Sequence, residues 1–153
     1  LQDCVKKGPL AGYPVVGLKA TLLDGSYHPV DSSEMSFKMA ASLAYKAGMP
    51  QASPVILEPI GSLSVLVPDS CTGDMMGELN KRRGRVMGMN AMGYGMTEIV
   101  AEVPMSEMQD FTTLVRQMTQ GSGSFTLEFA RYEQLPSQLE AGVIAASKAK
   151  DEE

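Results

Sequence analysis

Lys81-Arg82-Arg83-Gly84-Arg85 gathers four of the chain's thirteen basic residues into one short run. A guanidinium grips a phosphate through two parallel hydrogen bonds, so such a run suits contact with a phosphodiester backbone. A second reading is that cations near the C-terminal end of a helix complement the negative end of its dipole. That accounts for one or two of them, and basic runs are an unspecific signal. In a chain of net charge -5, the concentration of four is the observation that favours phosphate. Gly25-Ser26-Tyr27-His28-Pro29 is the second group of interest. Glycine permits a tight reversal, and the hydroxyl, aromatic ring and imidazole that follow can stack on and hydrogen-bond to unpaired RNA bases. A plain solvated loop has the same composition.

Other chemistry lacks its residues. A single histidine makes an HExxH metal site impossible, and the sequence contains neither a GxxxxGK phosphate loop nor a GxGxxG turn. Asp24 and Asp31 flank His28, but no nucleophile, base and orienting group converge there, so no catalytic and no metal residue is expected. Cys4 and Cys71 are too few and too isolated for a disulfide framework or a zinc site, and both are expected to be reduced, in the cytoplasm. Eighteen acidic residues against thirteen basic ones exclude a strongly basic nucleic-acid coat but allow a local patch. No apolar run approaches the roughly 18 residues of a membrane span, so no membrane partner is expected. The 44% of hydrophobic residues suits a folded globular chain of one or two small domains. Leu1-Gln2-Asp3-Cys4 has neither an initiator Met nor the pattern of a signal peptide and reads as the start of a fragment of a longer chain. The twelve Met read as core filler first and an adaptable binding face second.

The elements that must position these groups follow from periodicity. Val15 to Leu23 is an apolar, β-branched run closed by Asp24-Gly25-Ser26, which predicts a strand and a tight loop. Asp31-Ser32-Ser33-Glu34 is helix-start chemistry, and the helix should run to about Ala47. Met35, Met39 and Leu43 form one apolar row along it, and Gly48 should supply a left-handed end. Pro50 and Pro54 mark a boundary at roughly residues 50 to 56. Beyond it, Leu63, Val65 and Val67 alternate as a strand, and Asp69 to Thr72 open a helix with Met75, Met76 and Leu79 on one face, ended by Gly84. Val86 to Met92 is a weaker strand, loosened by glycine, and Thr97, Ile99, Ala101 and Val103 alternate as a firmer one. Phe111, Leu114, Val115 and Met118 stand at helical spacing before Gly121, and Phe125, Leu127 and Phe129 share one face of a last strand.

The order βαββαβ predicts an α+β fold: a ferredoxin-like sandwich over residues 53–134, preceded by a partial α+β module over residues 1–52. A short amphipathic helix, Leu139 to Lys148, should pack loosely on that sandwich in a terminal segment over 135–153. The tail Lys150-Asp151-Glu152-Glu153 should be frayed.

Longer words carry a resemblance. Gly12-Tyr13-Pro14-Val15-Val16, with Leu22-Leu23-Asp24-Gly25-Ser26-Tyr27-His28-Pro29-Val30-Asp31-Ser32-Ser33-Glu34-Met35, resembles the end of domain IV of bacterial elongation factor G. Leu57-Glu58-Pro59-Ile60, then Gly73-Asp74-Met75-Met76-Gly77-Glu78-Leu79-Asn80-Lys81-Arg82-Arg83-Gly84-Arg85, resembles domain V of that family. So do Glu102-Val103-Pro104-Met105-Ser106-Glu107-Met108, Met118-Thr119-Gln120-Gly121 and Phe125-Thr126-Leu127-Glu128-Phe129.

The resemblance implies a translational GTPase that drives tRNA and mRNA through the ribosome, with related members acting in ribosome recycling. GTP and Mg would then be bound by a domain upstream, where the first part of domain IV would also lie, and this chain would hold no cofactor. Gly25, Ser26, Tyr27 and His28 match the tip loop that faces tRNA and mRNA at the decoding region of the small subunit. Lys81, Arg82, Arg83 and Arg85 match a helix and turn near large-subunit rRNA and the stalk-base proteins, which tips their reading towards phosphate. Without the rest of domain IV, the strand Val15 to Leu23 should lack neighbours on an edge and invite self-association. Ser122 stands where the family commonly has Arg, and Pro29 where it often has an acid. Asp110-Phe111-Thr112-Thr113 replaces a more usual Gly-Tyr-Ala-Thr, and Gly88 to Met96 is unusually rich in Gly and Met. The rival from another class is a free-standing ferredoxin-like binding or sensor module, with an enzyme a more distant third.

Overall fold

Apolar and polar side chains alternate from Leu57 onward, and the resulting strand, β1, spans Leu57–Pro68 in the computed structural model, which describes residues 1–151. There follow α2 (Thr72–Lys81), β2 (Arg85–Gly93), β3 (Met96–Pro104), α3 (Phe111–Met118) and β4 (Ser124–Gln134). The helix α1 (Glu34–Gly48) precedes them and α4 (Ser137–Asp151) follows. The strands pair antiparallel in the order β2-β3-β1-β4, the arrangement of a ferredoxin-like sandwich.

Register explains the core. Leu63 lies opposite Ala101 and Leu127, and Val65 opposite Ile99 and Phe125, so period-two alternation sends these side chains to one face together. Met75 and Leu79 of α2, with Phe111 and Val115 of α3, cover that face and are themselves buried. Phe111 meets Phe125 edge to face with ring centroids 5.0 Å apart. Each such aliphatic or aromatic side chain contributes roughly 1.5–3 kcal/mol through the area it removes from water. Core filling by methionine holds for Met49, Met75 and Met108, whereas Met35, Met39, Met87, Met89 and Met92 are exposed.

Contacts divide the chain into two units, one of Leu57–Gln134 and one of Leu1–Ile56 with the segment from Leu135 onward. In the latter, Ser33 caps α1 by accepting a hydrogen bond from the Ser36 N–H at 3.2 Å. The apolar row Met35, Met39 and Leu43 is exposed along that helix. Ser147 of α4 donates to the Ala11 carbonyl at 2.7 Å. The terminal helix is therefore longer than the periodicity predicts, and its contacts group it with the N-terminal segment. Lys150 and Asp151 belong to this helix, and Glu152 and Glu153 lie outside the described residues.

Two local expectations change. Val15 to Leu23 is not a strand, because no described segment offers it a ladder and an isolated strand leaves its backbone groups unpaired. The strand edge expected to invite self-association is thus absent among the described residues. Gly48 is right-handed at φ -83°; the chain continues through one tight turn, Met49–Ala52, to a left-handed Ser53 at φ 53°. After α2 the left-handed position falls on Arg83, at φ 60°, and not on the glycine that follows.

Candidate functional site

The turn after α2 is built by hydrogen bonds from Arg83 N–H to the Asn80 carbonyl at 3.1 Å and from Gly84 N–H to the Leu79 carbonyl at 2.7 Å. This closes the helix with a left-handed residue, a place where glycine is usual and arginine is strained. Gly84 is required for another reason: a Cβ there would lie 2.8 Å from the Leu79 carbonyl oxygen and 2.9 Å from Val103 Cγ1.

All four clustered cations face acids of the same chain. Lys81 pairs with Glu78 one turn earlier on the helix, and its side chain is 74% exposed. Arg82 forks onto Asp110, Nη1 to Oδ1 at 2.6 Å and Nη2 to Oδ2 at 3.1 Å, and also donates to the Glu107 carbonyl. Its guanidinium lies 5.7 Å from the centre of the Phe111 ring, a cation–π distance. Arg83 forks onto Glu58 at 2.9 and 2.8 Å and reaches Glu107 at 3.4 Å. Glu58 is buried, which makes this the least hydrated of the pairs. Arg85, 68% exposed, donates to Glu102, which also accepts two hydrogen bonds from Arg131 at 2.8 and 2.9 Å.

These contacts set the protonation of the group. Hydrogen bonds from Arg131 and then Arg85 hold the Glu102 carboxyl down at about 2. The Arg82 fork holds Asp110 below the usual carboxylate range, and the Asp110 bond in turn raises Arg82. Arg83 is raised chiefly by its bond to Glu58. A shallow open groove of about 450 Å³ runs beside the turn, lined by Lys81, Arg82, Glu107 and Asp110 among others.

Sequence reasoning found the cations and missed their partners. Glu78 was legible, three residues from Lys81 on one helix. Glu58, Asp110 and Glu102 leave no local signal, because they lie 25, 28 and 17 residues away from Arg83, Arg82 and Arg85 and arrive only through the fold.

Gly25, Ser26, Tyr27 and His28 lie on an exposed stretch before α1. The Gly25 N–H donates to the Asp24 carboxylate at 2.7 Å. His28 and Ser32 hold one another: the His28 N–H donates to Ser32 Oγ at 2.7 Å and the Ser32 N–H to the His28 carbonyl at 2.9 Å. The backbone is thereby pinned just before the helix while the Tyr27 and His28 side chains stand in solvent. Among the described residues no three His, Cys, Asp or Glu side chains are placed to share a metal ion, and no helix is long and apolar enough to cross a membrane.

Residues 1–53 match the family model of elongation factor G domain IV, and residues 55–142 that of the elongation factor G C-terminus. The chain belongs to the elongation factor G family. It is similar to an elongation factor G-like protein of Thermotoga maritima, 47% identical over all 153 residues, which make up 22% of that relative. A crystal structure from Thermus thermophilus superposes with a TM-score of 0.85 at 43% identity, over 96% of this chain and 22% of the other. The chain thus spans about a fifth of the length of the relatives it matches. The exposed loop falls in the part matched to elongation factor G domain IV, and the cationic turn in the part matched to the C-terminus. Both belong to a translation elongation factor's terminal domains.

Proposed function

We propose that this chain is the ribosome-binding C-terminal part of an elongation factor G-like GTPase that moves tRNA and mRNA during protein synthesis. The observation that carries the reading is the uninterrupted pair of family matches, domain IV over 1–53 followed by the C-terminus over 55–142. The sandwich binds large-subunit rRNA and stalk-base proteins through its cationic turn. The exposed loop presents Tyr27 and His28 to tRNA and mRNA at the decoding region of the small subunit. GTP and Mg2+ are bound by another domain of the longer protein, in the cytoplasm, and this chain performs no chemistry of its own.

The test is His28→Ala in the full-length factor. Movement of tRNA slows more than GTP hydrolysis does, because hydrolysis takes place elsewhere. A loss of hydrolysis with movement intact overturns the assignment of the loop. The departures at Pro29 and Ser122 suit either a divergent elongation factor or a second reading, a paralogue that helps split ribosomes for recycling. Subunit splitting without tRNA movement, measured on the same factor, selects it.

A further inference from the structure

We infer that the four clustered cations have two different jobs: Lys81 and Arg85 contact phosphate, while Arg82 and Arg83 are positioning residues that hold the turn. This rests on the ribosomal-RNA reading above. A cation can serve a phosphate only if it can leave its present partner cheaply. Lys81 can, since its own side chain is 74% exposed and Glu78, one turn away on the same helix, keeps 22% of its side chain in solvent when the lysine leaves. Arg85 can as well: its side chain is 68% exposed, and when it leaves, Glu102 keeps both hydrogen bonds from Arg131.

Arg82 and Arg83 are held differently. The Arg82 side chain is only 13% exposed, and its fork is filled by Asp110 and the Glu107 carbonyl above the Phe111 ring. If Arg83 turned to a phosphate it would strand the carboxylate of Glu58, whose side chain is 9% exposed, and a buried charge without its partner is strongly unfavourable. The Nε atoms of both arginines are buried and carry no hydrogen bond, so neither guanidinium presents that edge to solvent. Together they tie the turn to the segment before α3 and to the start of β1, and so fix Lys81 and Arg85 at its two ends. Asp110 stands where the family resemblance leads one to expect glycine, which could not hold Arg82.

The experiment is the salt dependence of binding of this chain to purified large ribosomal subunits. It is run at a temperature where thermal melts show every variant folded. Lys81→Gln and Arg85→Gln each lower the slope of log affinity against log salt by about 0.7 to 0.9, one released counterion apiece. Arg82→Gln and Arg83→Gln leave the slope intact but weaken binding at fixed salt by about tenfold, the equivalent of one misplaced hydrogen-bonded contact. Asp110→Asn, which loosens Arg82 while keeping its charge, does not raise the slope. A slope that falls with Arg82→Gln or Arg83→Gln and returns with lysine, or that rises with Asp110→Asn, overturns the division of labour. Unchanged affinity in both glutamine variants overturns the positioning role. A flat slope in the unmodified chain overturns the phosphate reading itself, and the inference with it.

Discussion

Arg83 and Glu58 are joined by two parallel hydrogen bonds of 2.9 and 2.8 Å that span 25 residues of sequence and tie the end of α2 to the start of β1. Arg83 does this from a left-handed backbone position, φ 60°, which costs a non-glycine residue roughly 1–2 kcal/mol. The ion pair and the strain therefore oppose one another at a single residue.

Two substitutions separate them. Arg83→Ala leaves Glu58 without its partner and keeps the strained backbone. It is expected to destabilise the chain by about 2 kcal/mol, less than the roughly 3–5 kcal/mol of a fully buried pair because Arg83 retains some solvent. Arg83→Gly loses the same pair but relieves the strain, so it should be less destabilising by about 1 kcal/mol despite removing more atoms. Urea unfolding of the two variants measures the difference. Equal losses would mean that the left-handed turn carries no strain worth relieving.

Two glycines should respond unequally to the same added methyl group. At Gly61 a Cβ meets Leu127 Cδ1 at 2.6 Å, the far end of a side chain, with Met105 Cγ at 3.2 Å and the Glu128 carbonyl oxygen at 3.3 Å. At Gly84 it meets the Leu79 carbonyl oxygen at 2.8 Å, which is backbone and is already committed to the hydrogen bond that closes the helix. Gly61→Ala should cost about 1 kcal/mol and Gly84→Ala about 2–3 kcal/mol, within the usual range for overpacking. Thermal melts of the pair decide it, and a larger loss at Gly61 would contradict the account of Gly84.

Glu102 makes part of the stability depend on pH. Its carboxyl is held down at about 2 by Arg131 and Arg85, below its ordinary value of 4.5. A depressed carboxyl binds fewer protons folded than unfolded, so its contribution is present in full above about 4.5. It is lost as pH falls from there through about 2. Glu102→Gln should therefore flatten the stability profile in that window and leave the profile near neutrality unchanged in shape. Denaturant midpoints measured from about pH 2 to 6 test this; a wild-type slope retained in the variant would assign the acid sensitivity to other carboxylates.

The elements of the sandwich were legible because their signals are local. Alternation at Leu63, Val65 and Val67 and helical spacing at Phe111, Leu114, Val115 and Met118 are properties of neighbouring residues, and they led to the observed βαββαβ order. Ser33 and Glu34 likewise marked the start of α1 through capping chemistry that acts over three residues.

What was illegible depended on residues far away or outside the segment. Val15 to Leu23 has strand composition, but a strand exists only where a partner pairs along its length, and beyond the bond from Val15 N–H to the Val5 carbonyl at 2.7 Å no described segment does. Gly84 was expected to end α2, yet the left-handed residue there is Arg83, while Gly84 is needed for the close approach of the Leu79 carbonyl and Val103. The sequence by itself determined that four cations would gather at the end of a helix. Only the tertiary structure decided that Asp110, Glu58 and Glu102 would meet three of them, because ion pairs between distant residues form when packing of the apolar face brings their backbones together.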